Sequence, residues 1–140
     1  MIIERNYSRF IVFREDFLSV ALQKINANKK RIIFVVDENG ILQGVISDGD
    51  VRRWLLTSNR VDLDVPAWQV MNRDCVRAGI GDERETIALR LSEKVMALPL
   101  LDVSSRVVAV ALQSSPGIQL ADRAIGAEEA TFIIAEIGNN

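Results

Sequence analysis

Histidine is absent from this sequence, cysteine occurs once, and no long apolar run is present. The single cysteine, Cys75, excludes a disulfide within the chain, and we interpret it as a small core residue, with a reactive thiol as the alternative. Without histidine, the chain lacks the most common zinc ligand and the most common general base of enzymes. No nucleophile with a base and no carboxylate dyad is evident, so we predict neither a metal site nor a catalytic residue in this chain.

Concentrated charge is also lacking. The 17 Lys and Arg residues are balanced by 19 Asp and Glu residues without any block of one sign, so nucleic acid is not an expected partner. No apolar segment approaches the roughly 20 residues of a membrane-spanning helix, and the first residues do not have the layout of a signal peptide. We therefore expect a cytoplasmic protein with no membrane partner.

What the sequence does contain is an internal repeat, whose first copy is predicted to be a helix, a hairpin and a second helix. Asp16 is expected to cap a helix over residues 17–26, where apolar residues recur at the spacing of one buried face. Strands are expected over residues 32–36 and 41–47, because they flank an Asn-Gly turn. The closing helix is expected over residues 51–57.

The second copy follows the same order with changed residues. Asp82 is expected to cap its helix, and Glu85, three positions later, is expected to complete a capping box. The apolar face of this helix is predicted to consist of Ile87, Ala88, Leu91 and Val95. Its hairpin strands are predicted over residues 97–101 and 107–112.

Two such units in tandem resemble a pair of cystathionine-beta-synthase (CBS) domains, an arrangement called a Bateman module. The most specific part of the resemblance is Ile33 to Trp54, which reads as a strand, an Asp and Gly turn, a strand and then the motif Gly-Val-Ile-Ser-Asp-Gly-Asp at residues 44–50. The resemblance implies an α/β (α+β) fold in which each unit packs a small β-sheet on two helices, with a pseudo-two-fold axis between the units. The implied CBS units are residues 8–58 and 74–116, with a linker at 59–73.

The end of this motif has the features of an anion site. A strand is predicted to end at Ser47 and a helix to begin soon after it, so backbone N–H groups without partners and the positive end of the helix dipole lie together. The Ser47 hydroxyl can donate to a phosphate, Asp50 can accept from ribose hydroxyls, and Arg53 or Arg31 can supply the countercharge. The alternative is structural, because Ser and Asp are also favourable residues at the start of a helix.

The family resemblance adds roles to these residues. By resemblance to nucleotide-binding CBS units, Ser47 and Asp50 are implied to contact the phosphate and the ribose, and Arg31 occupies a position that is often basic. Apolar residues near Val12 and Ile33 are implied to sandwich the base. The implied ligand is an adenine nucleotide such as AMP, ADP or ATP, which is not required for folding.

The second unit departs from the nucleotide-binding pattern. Aligning Asp37 with Asp102 places Ala109 where the first unit has Gly44. By the same alignment, Leu112 replaces Ser47 and Ser115 replaces Asp50. We therefore expect at most one ligand per chain, held mainly by the first unit.

The last residues resemble the beginning of another domain. Residues 132–140 read Phe-Ile-Ile-Ala-Glu-Ile-Gly-Asn-Asn, which resembles the first barrel strand of sialic acid synthases after a lead-in that begins at residue 117. The resemblance implies that residues 117–140 open a phosphoenolpyruvate-dependent N-acetylneuraminate (nonulosonic acid) synthase. Glu136 would then contact substrate in the complete synthase site.

Two functions remain open from the sequence. The first is a regulatory module that binds an adenine nucleotide or a related ligand and biases an attached synthase. The second is a ligand-free module that sets the oligomeric geometry of the same enzyme. In either case, the resemblance implies a homodimer formed through the CBS helices.

Overall fold

The computed structural model describes residues 1–58 and 61–113, which form two small β-sheets and three α-helices. The strands are β1 (Ile2–Glu4), β2 (Ile11–Phe13), β3 (Ile32–Val36), β4 (Leu42–Ser47), β5 (Ala78–Gly79), β6 (Ala97–Leu101) and β7 (Val107–Leu112). The helices are α1 (Leu18–Asn28), α2 (Asp48–Thr57) and α3 (Arg84–Arg90). The predicted α/β class is confirmed. Within these residues, no helix has the length and apolar character needed to cross a membrane.

One sheet takes its strands from both ends of the described sequence, and the other takes its strands from the stretch between them. The first sheet has the order β2-β3-β4, with β2 parallel and β4 antiparallel to β3. The second sheet has the order β1-β7-β6-β5, so the strand at the start of the chain pairs with the last described strand. The second unit therefore needs residues that precede the first unit.

The repeat is visible in the strand register. In the first hairpin Ser47 lies opposite Ile32, and in the second Leu112 lies opposite Ala97. Each hairpin also has a register shift near its tip, after Val35 in the first and after Leu100 in the second. The register thus confirms that Ser47 corresponds to Leu112. The partner predicted for Asp50, Ser115, lies outside the described residues.

The hairpin turns also repeat. The Asp37 carboxylate accepts hydrogen bonds from the backbone N–H groups of Asn39 (2.8 Å) and Ile41 (3.0 Å). Asp102 accepts in the same way from Ser104 (2.9 Å) and Arg106 (3.0 Å). The bond from the Arg106 backbone is the largest cause that holds the pKa of Asp102 below its usual value.

The two hairpin tips meet each other. The Leu42 N–H donates to the Ser105 carbonyl at 3.0 Å, and the Val107 N–H donates to the Gly40 carbonyl at 3.1 Å. Since Leu42 and Gly40 occupy the same positions in the first repeat as Val107 and Ser105 in the second, the two bonds are related by the pseudo-symmetry.

The first turns of α1 and α3 differ from prediction. Asp16 does not cap α1, because its carboxylate accepts the N–H of Phe13 at 2.9 Å. Asp82 likewise accepts the N–H of Gly79 at 2.9 Å, and α3 has no side-chain cap, so the capping box with Glu85 was wrong. The carboxylate of an Asp before a helix can accept a hydrogen bond from the first turn of the helix or from the turn that precedes it. Asp16 and Asp82 both accept from the preceding turn.

The helix boundaries also shift. Helix α1 reaches Asn28, beyond the predicted residue 26, and α2 begins at Asp48 rather than at residue 51. Helix α3 ends at Arg90, so Leu91 and Val95 follow it instead of forming its apolar face.

The core consists of three clusters of buried apolar residues. One cluster joins both units and contains Phe10, Phe34, Val36, Leu42, Val45, Ala97, Leu101, Val107 and Val110. A second lies within the first unit, between its sheet and α1, and a third lies within the second unit. The shared cluster holds the two sheets against each other.

The predicted linker, residues 59–73, packs on the first unit in its described part. The Val65 carbonyl accepts the N–H of Leu18 at 2.8 Å. Val45 and Asn72 exchange two backbone hydrogen bonds of 2.9 and 2.7 Å, so the linker covers the outer edge of β4. Gly44 makes this approach possible, since a Cβ there would lie 2.7 Å from the Asn72 carbonyl oxygen.

We predict that Gly44→Ala lowers the free energy of unfolding by about 1–3 kcal/mol, because the added methyl group overlaps a backbone oxygen that the linker holds in place. Urea unfolding followed by circular dichroism measures the effect. Gly81→Ala is the matched control, because a Cβ at Gly81 has nothing within 4 Å. Equal stabilities of the two variants would contradict the packing role of Gly44.

Candidate ligand site

Helix α2 begins with a capping box. Ser47 is the N-cap residue, and its hydroxyl oxygen accepts the N–H of Asp50 at 3.3 Å. The Asp50 carboxylate in turn accepts the N–H of Ser47 at 2.9 Å. The structural interpretation of these two residues is therefore realised in the fold, and it accounts for the start of α2 at Asp48.

Asp50 is a buried carboxylate with both oxygens engaged. Only 6% of the residue is exposed. Its Oδ2 atom also accepts the Ser47 hydroxyl at 2.8 Å, and its Oδ1 atom accepts from the Arg53 guanidinium at 2.9 Å. The predicted residues Ser47, Asp50 and Arg53 thus lie together. A ligand that contacts Ser47 or Asp50 must exchange one of these bonds, and the mostly exposed Arg53 is the partner that can move more easily.

A cavity of about 270 Å³ opens at the start of α2 and takes its walls from both units. Ser47 lines it from the end of β4, Gly49 from α2, Arg31 from the loop before β3, and Lys94 from the second unit. We call this space the α2 cavity. It combines the N-terminal end of a helix with side chains from two domains, which suits an anion bound between them.

The charge around the α2 cavity is positive. Its lining residues include four cations, Lys30, Arg31, Arg52 and Lys94, against two carboxylates, Asp48 and Glu93. The Arg31 guanidinium and the Asp48 carboxylate approach to only 3.9 Å, and the Arg31 side chain is largely exposed. Arg31 is therefore free to turn toward a bound anion.

The loop that carries Arg31 is held by a residue that the sequence analysis did not identify. Asn28 is buried, and its amide nitrogen donates to the Ile32 carbonyl at 2.9 Å while its oxygen accepts the N–H of Lys30 at 2.8 Å. Lys29 and Arg31 both have φ values of 62°, a conformation that non-glycine residues adopt rarely. Asn directly before three basic residues was the available signal, but its burial depends on tertiary packing.

Two further cavities adjoin the same helix. One of about 360 Å³ lies beside Asp50 and Arg53 and is also lined by Met71 and Asn72 of the linker. Another, of about 620 Å³, lies between α1 and the start of α2 and shares Arg31 and Asp48 with the α2 cavity. Arg31 therefore stands between two spaces that are large enough for parts of one ligand.

The two apolar residues predicted to sandwich a base lie elsewhere. Val12 is 1% exposed and Ile33 is 0% exposed, and both belong to the core cluster beneath α1. Neither side chain lines any of the described cavities. Their alternation in β2 and β3 turns them toward the helix, so the described arrangement does not offer them to a ligand.

Comparison with known proteins agrees with this geometry. Residues 6–57 match the sequence model of the CBS domain family. The fold resembles that of a CBS domain pair/ACT domain protein from Thermotoga maritima, with a TM-score of 0.64 and 17% identity over 79% of this chain and 84% of that one. The described chain has the fold of a CBS domain pair. No curated protein matches the sequence.

Two other solved structures are similar. A putative acetoin utilization protein (AcuB) from Vibrio cholerae aligns with a TM-score of 0.66 and 21% identity, covering 80% of this chain and 84% of that chain. The CBS domain pair of protein MJ0100, solved in complex with 5-methylthioadenosine and S-adenosyl-L-methionine, aligns with a TM-score of 0.58 and 20% identity. That match covers 74% of this chain and 83% of the MJ0100 chain.

The second unit presents no equivalent polar pair in its described part. Ala109 is buried, and Leu112 packs against the cluster between the sheets. An apolar side chain at this position cannot donate a hydrogen bond to a phosphate. Ser115 and Glu136 lie outside the described residues.

Cys75 lies partly buried beside the cluster that joins the two units. Burial raises the pKa of its thiol from 9.0 to about 11, an effect that Arg77 opposes and Asp50 reinforces. Its thiol is therefore protonated at neutral pH and is a poor nucleophile.

We predict that Ser47→Ala lowers the free energy of unfolding by about 1 kcal/mol, because it removes the side-chain cap of α2. Urea unfolding at pH 7 measures the loss. Ser104→Ala is the control, since only the backbone N–H of Ser104 takes part in its turn and its stability should change by less than about 0.5 kcal/mol. A Ser47→Ala variant as stable as the control would show that the capping box contributes nothing.

We predict that Cys75 makes stability fall at alkaline pH. The folded thiol ionises near pH 11 and the unfolded thiol near pH 9, so the unfolded chain loses its proton first and the stability linked to the thiol is lost as pH rises through this window. The parent chain should lose about 1–2 kcal/mol more than Cys75→Ala between pH 8 and pH 10.5. Urea unfolding of both proteins at the two pH values tests this, and parallel losses would contradict it.

Proposed function

We propose that this CBS pair is a regulatory module that binds an adenine nucleotide or a related phosphorylated ribonucleoside. The observation that carries the proposal is the α2 cavity, in which the start of a helix and four cations face a space between the two units. The ligands in the complex of the MJ0100 domain pair, 5-methylthioadenosine and S-adenosyl-L-methionine, support the adenosine part of this ligand class, and the cations of the α2 cavity support the phosphate.

Residues of the α2 cavity bind the phosphate, and Asp50 and Arg53, which line the adjoining cavity of about 360 Å³, serve the ribose. The backbone N–H groups at the start of α2 and the side chains of Arg31 and Lys94 bind the phosphate. The Ser47 hydroxyl turns from Asp50 to the phosphate, and Asp50 accepts from the ribose hydroxyls. Arg53 stays beside Asp50 and preserves its charge balance.

Ligand binding in the α2 cavity can regulate an attached partner, because residues of both units line this cavity. Arg31 belongs to the first unit and Lys94 to the second, so an anion that contacts both favours one relative pose of the units. A partner that prefers this pose is then activated or inhibited by the same free energy. The module itself carries out no reaction.

We further propose that the regulated partner is the synthase that residues 132–140 resemble. The support is the sequence Phe-Ile-Ile-Ala-Glu-Ile-Gly-Asn-Asn, which lies outside the described residues. In that context, the CBS helices form the homodimer contact, and Leu55 and Leu56, which are exposed on α2, supply apolar area for it.

A ligand-free structural module is the second candidate. It is favoured by the closed capping box, in which Asp50 already has a partner on each oxygen. In this alternative, the cations around the α2 cavity serve solvation alone, and no nucleotide binds.

Isothermal titration calorimetry of the 140-residue chain with AMP, ADP, ATP and S-adenosyl-L-methionine separates the two candidates. We expect binding by at least one of these ligands. Arg31→Ala and Lys94→Ala should each weaken it by about 10-fold, the effect of one charge-assisted hydrogen bond.

The matched control is Arg106→Ala, an exposed arginine that does not line the α2 cavity and should leave nucleotide affinity unchanged. No heat and no change in melting temperature at millimolar concentrations of all four ligands would favour the structural module. Equal weakening by all three variants would instead indicate non-specific attraction of charge.

A further inference from the structure

A separate cleft of about 440 Å³ lies where the two hairpin tips meet. The first unit contributes Tyr7, Phe13 and Glu38 to its lining, and the second contributes Arg106 and Val108. We call it the tip cleft. Its volume falls in the range of small-molecule sites.

The tip cleft is distinct from the α2 cavity. Strand β3 passes between them, with Ile32 lining the α2 cavity and Val36 lining the tip cleft. Four residue steps along a strand separate these two positions by about 13 Å. The two spaces have no lining residue in common.

The floor and sides of the tip cleft are apolar. Val36 and Val107 are buried at its base, and Tyr7 and Ile11 are partly buried above the core cluster. Phe13 remains 48% exposed, although it is a large apolar residue at the edge of the cleft. An aromatic or branched aliphatic group in the cleft would cover this surface, which favours binding by roughly 25 cal/mol for each Å² removed from water.

The guanidinium group of Arg106 lies at the rim of the tip cleft. Arg106 pairs with Asp102 through its Nε atom at 3.1 Å, which fixes the guanidinium while leaving its two terminal nitrogen atoms without a protein partner in the described residues. Two parallel N–H donors on one plane match the two oxygens of a carboxylate. The Arg106 side chain is therefore positioned to receive a carboxylate group.

A carboxylate alone does not satisfy the charge of the rim. Asp102 already balances Arg106, and the exposed carboxylate of Glu38 adds one negative charge without an ion-pair partner in the described residues. A simple carboxylic acid would increase this negative charge, whereas an added ammonium group would pair with Glu38. The lining thus matches a molecule with a carboxylate, an ammonium group and an apolar body.

We propose that the tip cleft is a second ligand site, which binds an amino acid with an aromatic or branched apolar side chain. The carboxylate binds Arg106, the ammonium group binds Glu38, and the side chain packs on Phe13 and Val108. Because these residues come from both units, the amino acid stabilises the contact between the hairpin tips. The chain would then respond to two chemically different ligands at opposite ends of β3.

Titration of the 140-residue chain with L-phenylalanine, followed by ¹H–¹⁵N NMR, tests the site. Amide signals of the two turns, near Asn39 and Ser104, should shift in a saturable manner. The analogues 3-phenylpropionate, which lacks the ammonium group, and phenethylamine, which lacks the carboxylate, should each bind at least about 5-fold more weakly, because each loses one charged contact. An analogue that binds as tightly as phenylalanine would overturn the proposal.

Substitutions at Arg106 and Glu38 test whether these two side chains bind phenylalanine. Arg106→Ala should weaken phenylalanine binding by about 10-fold, Arg106→Lys should restore only part of the loss, and Glu38→Gln should weaken binding by several-fold. Arg31→Ala is the control and should leave phenylalanine affinity unchanged, since it alters only the α2 cavity and its neighbour. These residues are exposed, and a thermal melt of each variant confirms that it is folded.

The same set of variants keeps this site separate from the nucleotide site. Phenylalanine binding that persists in Arg106→Ala, or shifts confined to signals outside the two turns, would overturn the tip-cleft site whatever the result with nucleotides. Absence of nucleotide binding would leave this proposal intact, because no step of it uses the α2 cavity.

Discussion

The contact between the two sheets is the constraint on which the other features depend. Phe34 and Val45 from the first unit and Val107 and Val110 from the second share one buried cluster, and each such side chain contributes about 1.5–3 kcal/mol when fully buried. The reciprocal hydrogen bonds between the tips fix the register of this contact. Both the α2 cavity and the tip cleft have walls from two units, so neither would exist in an isolated unit.

At the start of α2, the residues that stabilise the helix differ from the residues that give the α2 cavity its positive charge. Ser47 and Asp50 hold the helix through their own hydrogen bonds, and Asp50 is buried for that reason. Arg31 and Lys94 contribute little to the fold, because they are exposed and solvated. Evolution can therefore change the cations, and with them the preferred anion, without unfolding the unit. The capping pair does not offer the same freedom.

The hairpins could be predicted almost to the residue, because short apolar runs on either side of an Asp-led turn are signals that act over short distances. The caps at Asp16 and Asp82 could not, since each carboxylate had two local partners within reach and the choice depends on the surrounding backbone. Ser47, Asp50, Arg53 and Arg31 lie near one helix start, and their contacts with a ligand stay a prediction. The position of Lys94 and the burial of Val12 and Ile33 depend on contacts that are distant in sequence, which local patterns do not report.

The place of β1 has a consequence for how the protein is made. Among the described strands, β1 leaves the ribosome before the others, whereas its hydrogen-bond partner, β7, is the last of them to emerge. The first unit, which contains its own sheet and α1, can acquire structure during synthesis, whereas Ile2 and Ile3 must wait unpaired until more than a hundred residues have followed. Completion of the second sheet therefore joins the two ends of the described chain in a late, non-local folding step.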